Sequence, residues 1–145
     1  AVKITWDMFL KGVSCFAAAR QTGKRRYLKH GQFYRRKLQK LHNAGCPSVH
    51  YYVSVLNAEF AAMKGKYAEA VRLYESSITM FARVGMIQNA ALTSERLASL
   101  YMGPLSDDDE LSFRLNESLK YWQDWGAMAK VQQLQELYPA LLSVS

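Results

Sequence analysis

Nine of the 19 lysines and arginines fall between Arg20 and Lys40, and no Asp or Glu occurs from Met8 to Ala58. The formal charge of +7 is therefore local: from Glu59 onward eight basic residues meet eleven acidic ones. Lys24, Arg25, Arg26, Lys29, Arg35, Arg36, Lys37 and Lys40 form a candidate binding face. Such a run attracts phosphates or an acidic protein surface. Tyr27, Phe33 and Tyr34 interleave with the cations, as they do in proteins that stack single-stranded bases. A solvated helix face with its aromatics turned toward a core is the competing account, and helical spacing favours it. If the face is functional, an acidic protein partner or neighbouring domain is expected ahead of nucleic acid. The triplets Lys24-Arg25-Arg26 and Arg35-Arg36-Lys37 also mimic a two-part nuclear import signal, a match that arises often by chance.

Other residues of chemical type lack a constellation. His42, Cys46 and His50 recur every four residues, but zinc needs a fourth ligand, and Gly45 and Pro47 break the helix that would have gathered the three. Asp107, Asp108, Asp109 and Glu110 lack the alternating spacing and central glycine of a calcium loop, and read instead as a helix start. Cys15 lies among Val13, Phe16 and Ala17 with no histidine positioned as its base. Glu59, Glu69, Glu75 and Glu95 are placed on polar stripes. No metal, cofactor or catalytic residue is assigned, and an enzyme is not expected. The two cysteines form no disulfide framework, which suits an intracellular, cytoplasmic setting.

The elements carrying these residues follow from apolar periodicity. Seven helical stretches are expected, over residues 5–19, 25–43, 48–64, 67–84, 87–102, 108–125 and 128–138. Residues 67–84 give the clearest stripe, with Tyr67, Ala70, Val71, Tyr74, Ile78 and Phe81 on one side. Gly12 and Gly31 fall inside helices as blemishes of propensity. Glycines divide the rest in two interleaved rows, Gly23, Gly65, Gly103 and Gly45, Gly85, Gly126, with spacings of 38 to 42 residues. Two helices and two glycine breaks per period predict an all-α fold of stacked antiparallel helix pairs. A single domain over residues 1–142 is expected, with units 4–44, 48–85 and 87–126, a last helix 128–138 and a tail 143–145. The longest run free of charged residues, Leu41–Ala58, is too broken by polar residues to span a bilayer, so no membrane insertion is expected.

Gly65, Tyr67, Ala70, Tyr74 and Ser77 resemble the second helix of the tetratricopeptide repeat, where small residues let helices approach and aromatics fill the gap. Leu97, Ala98 and Tyr101 echo its first helix; Gly85 and Gly126 close units. The period of about 41 exceeds the usual 34 or so, so the repeats are long and degenerate. A narrower likeness covers most of the chain: residues 19–27, Gly65-Lys66-Tyr67 with Leu73-Tyr74-Glu75, Trp125-Gly126-Ala127 through Val131, and Tyr138-Pro139 resemble the helical region of large multi-sensor signalling kinases that also carry a nucleotide-binding ATPase domain. The resemblance implies a right-handed superhelix and a scaffold, interaction or relay segment of a multidomain signal-transduction protein, with protein partners or neighbouring domains. A helical nucleic-acid-binding or transcription-regulator module using residues 20–40 is the alternative. The chain opens inside an amphipathic pattern (Val2, Ile4, Trp6, Phe9, Leu10), as a fragment would. With Trp6, Trp122 or Trp125 exposed at uncapped ends, self-association or marginal stability is expected.

Overall fold

The computed structural model describes residues 2–142, with the backbone alone of Val2. The described residues form seven α-helices and no strand: α1 (Val2–Thr22), α2 (Arg25–Asn43), α3 (Val49–Met63), α4 (Tyr67–Arg83), α5 (Ile87–Met102), α6 (Asp108–Trp125) and α7 (Met128–Leu137). The fold is all-α, and most helix ends fall within a residue or two of their expected places. Only α1 runs longer, by three residues at each end; at its C-terminal end Thr22 continues the helical turn (its Oγ1 donates to Ala18 O at 2.7 Å) before Gly23 turns left-handed. Residues 143–145, expected as a tail, lie outside the described residues, as does the side chain of Val2. No helix among the described residues is long and apolar enough to cross a membrane.

Two compact units divide at Leu73/Tyr74, within α4. In the first, α1 packs on both α2 and α3, and α2 packs on α3. Its core holds Phe9, Phe16, Leu38, Val55 and Leu56, all closed to solvent, with Phe9 stacked on Tyr52 at 4.6 Å between centroids. Burying such a side chain contributes about 1.5–3 kcal/mol, which is why this interior sets the helix arrangement. The two intrahelical glycines are contact points here, not blemishes. A Cβ on Gly31 would lie 3.0 Å from the Phe16 ring, and one on Gly12 would lie 2.9 Å from Leu56 Cδ1. Their missing side chains let α2 and α3 close on α1, an approach that outweighs the helix propensity lost.

The second unit pairs α5 with α6, and α7 covers part of α6. Leu111, Leu115, Leu119 and Trp122 of α6 meet Ala91 and Ala98 of α5 and Val131 and Leu134 of α7. Asp107 caps α6, accepting from Glu110 N at 3.1 Å, as the acidic run foreshadowed. Ser118 Oγ donates to Ala91 O at 2.8 Å, so a small polar residue is satisfied where the helices touch. Glu95 of α5 accepts from Trp122 Nε1 at 3.3 Å and pairs with Lys130 Nζ at 2.8 Å, joining three helices. Trp122 is thus buried and only Trp125 of the pair is exposed, because position 122 continues the stripe of Leu111, Leu115 and Leu119.

Tyr101 and Tyr121 of this unit titrate above the ordinary tyrosine value of 10.0, first because burial penalises the phenolate and then because carboxylates stand near, Glu110 for Tyr101 and Glu117 for Tyr121. Phenols that keep their protons longer in the folded state stabilise it below pH 10, and that contribution fades as pH rises through the folded values. We expect Tm to fall above about pH 10 and the fall to be shallower in a Tyr101→Phe, Tyr121→Phe double variant. Parallel thermal melts of the two proteins across that range would check it; identical slopes would contradict it.

Candidate functional site

Helix α2 has seven lysines and arginines and no acid. Its inward side is fixed by Gly31 and Leu38, both buried in the first unit. Periodicity then sends Arg26, Lys29, His30, Phe33, Arg36, Lys37 and Lys40 to the exposed side, a stripe about 21 Å long at 1.5 Å per residue. Lys24 and Arg25 extend it at the start of the helix, where Lys24 is extended in backbone. An open depression of about 540 Å³ lies along the stripe between Lys29, His30, Phe33, Arg36, Lys37 and Lys40. The structure thus brings seven of the eight candidate cations to one exposed surface.

Arg35 is the exception. Half-buried, it turns toward α3, where Nη1 donates to Asn57 Oδ1 at 3.1 Å and the guanidinium lies 4.5 Å over the Phe60 ring. It belongs to the packing between α2 and α3 and not to the outer stripe. Phe33 departs from expectation in the opposite sense. Instead of pointing inward it is 54% exposed, with Lys37 Nζ 5.3 Å over its ring and Tyr34 edge-on at 5.2 Å. Gly31 and Leu38 already define the inward side, and position 33 lies too far around the helix to share it. Tyr27 and Tyr34 are half-buried, as an inward lean requires.

The repeat positions on α4 sit where packing can use them: Ala70, Tyr74 and Ser77 are buried and Tyr67 is half-buried. On α5, Leu97 and Ala98 are buried and Tyr101 half-buried. Gly65, Gly85 and Gly126 take φ of 75°, 82° and 85°, and Gly126 closes α6 with its N–H donating to Gln123 O.

Two charged residues are interior, one of them against expectation. Glu59, placed on a polar stripe, is closed to solvent, with Arg20 Nη1 3.8 Å from its Oε1. The signal was present: 52, 56, 59 and 63 step by four, three and four, so Glu59 continues the apolar stripe of α3. Arg114, one turn after Leu111, is likewise 9% exposed and faces three carboxylates, Glu75 at 2.6 Å, Glu117 at 3.2 Å and Glu110 at 3.7 Å. Glu75 and Glu95 are ion-pair partners, Glu75 from an exposed position and Glu95 from a half-buried one.

The break at Gly45 and Pro47 does not separate His42 from His50. The corner between α2 and α3 folds their rings to 5.2 Å, yet no group of three metal-ligating side chains stands among the described residues. Burial pushes the Cys15 thiol above its ordinary value, which suppresses the nucleophilic thiolate. Residues 1–73 carry 14 lysines and arginines against three acids, a formal +11, while residues 74–145 carry five against nine, or −4. Comparison of the chain with models of protein families, with characterised proteins and with solved structures gives no match.

Proposed function

We infer that this chain is a non-catalytic interaction segment of a larger signalling protein, in which α2 holds an acidic stretch of a partner or of a neighbouring domain. One observation carries the reading: the outer stripe of α2 presents six aligned cations, with Lys24 just before them, and the helix holds no acid to neutralise them. A partner helix with carboxylates at the same three- and four-residue spacing would match it in length and charge. The packing of α1 on both α2 and α3 agrees with the tetratricopeptide likeness, in which first helices of successive pairs touch. A relay role follows from the same likeness, since stacked pairs pass strain between neighbours.

The exposure of Phe33 among the cations favours a second reading, single-stranded nucleic acid with a base stacked on that ring. A direct comparison decides between them. An acidic helical peptide should bind, and Lys29→Glu with Lys37→Glu should weaken it by about tenfold or more, while Arg83→Glu outside the stripe changes little. An oligonucleotide of about 15 residues that binds more tightly than the peptide, and loses that affinity in Phe33→Ala, would replace the first reading by the second. If neither ligand binds at low salt, the stripe has no role in recognition.

A further inference from the structure

Arg35 faces away from the stripe into a separate cleft of about 250 Å³, lined by Asn57, Phe60, Lys64, Lys66 and Glu69 together with Arg35 itself. All belong to the first unit. The guanidinium is fixed by uncharged groups: Nε donates to Gln32 Oε1, Nη1 donates to Asn57 Oδ1 at 3.1 Å, and its plane lies over Phe60. Lys64 Nζ lies 4.5 Å from the centroid of the same ring. Two of the five N–H donors of the guanidinium are thereby used, which leaves three. No carboxylate among the described residues forms an ion pair with Arg35, Lys64 or Lys66.

Arg20 and Arg114 stand in contrast. Arg20 is matched by Glu59, and Arg114 by three carboxylates. Arg35 is half-buried, oriented and unmatched. Burial, and secondarily the charge of Arg36, lowers its pKa, the mark of a cation lacking a counter-charge. Orienting a guanidinium through neutral amides while leaving its charge open is how an anion site is prepared in advance.

We propose that this cleft binds a phosphate group, with Arg35 donating to its oxygens and Lys64 and Lys66 closing over it from the rim. Charge and size select the ligand. Three cations and one carboxylate leave the lining about two positive charges, which suits a group of −1.5 to −2 better than a lone carboxylate. At about 250 Å³ the cleft falls below the roughly 300 Å³ at which pockets begin to enclose a whole drug-sized molecule. It therefore takes a head group, either free phosphate or the phosphate of a modified side chain whose remainder stays outside. The site is independent of the outer stripe of α2.

The test is a titration of the ¹⁵N-labelled 145-residue chain with O-phosphoserine, with serine as control. Saturable shifts are expected at the Asn57 side-chain amide and the Gly65 and Lys66 backbone amides, and none with serine. Lys66→Glu should weaken binding by about tenfold, and Glu69→Gln should strengthen it, whereas Lys29→Glu on the outer stripe should leave it within about twofold. A phosphoserine peptide at least tenfold tighter than inorganic phosphate would assign the ligand to a modified protein. Equal affinities would assign it to the free anion. The proposal fails if no saturable shift develops, or if Lys29→Glu and not Lys66→Glu abolishes it. Retained phosphoserine binding alongside no acidic-peptide binding would remove the α2 reading alone.

Discussion

Gly31→Leu is expected to destabilise the first unit by about 3 kcal/mol, although leucine is much the better helix former. A Cβ alone at this position meets three atoms of the Phe16 ring at 3.0–3.1 Å, and the ring is closed to solvent on every side. A leucine adds three further carbons in the same direction. The propensity gain returns about 1 kcal/mol and cannot offset a displaced aromatic in a packed interior. Phe16→Ala by itself should cost about 3–5 kcal/mol through the cavity it leaves. Because the two changes act on one volume, the double variant should be more stable than the sum of the singles predicts, by about 1 kcal/mol or more. Chemical denaturation of the four proteins gives the cycle. Strict additivity would mean that α1 and α2 do not meet at this point.

Arg114→Met should cost about 2–3 kcal/mol, and Arg114→Lys should recover less than half of it. Methionine keeps much of the volume, so the loss isolates the charge. Without the guanidinium, Glu75, Glu110 and Glu117 face one another with no cation between them, and like charges repel. Glu75 and Glu110 remain substantially exposed and regain water, which holds the loss below that of a fully buried pair. Lysine offers one ammonium where three carboxylates approach from different directions, whereas the guanidinium donates to Glu75 and Glu117 through separate nitrogens while Glu110 lies within ion-pair range. The variant should recover stability at high salt, since screening relieves the repulsion left behind. A loss that is the same at low and high salt would show that packing, including the contact of Arg114 over the Phe113 ring at 4.8 Å, carries the effect instead.

Helix number and helix ends were legible in the sequence because they rest on local chemistry. Apolar spacing, a proline after Gly103, an aspartate able to cap and glycines free to turn left-handed all act within a few residues of themselves. The acid-free cationic run was equally plain. What each interior position tolerates was not local. Gly12 and Gly31 look like defects until α3 and α1 press against them, and Glu59 and Arg114 look misplaced until a partner arrives from a distant part of the chain. Phe33 and Arg35, two residues apart, exchange their expected roles for the same reason. Periodicity gives a residue its direction around one helix, but only the neighbouring helix decides whether that direction meets a core, a counter-charge or water.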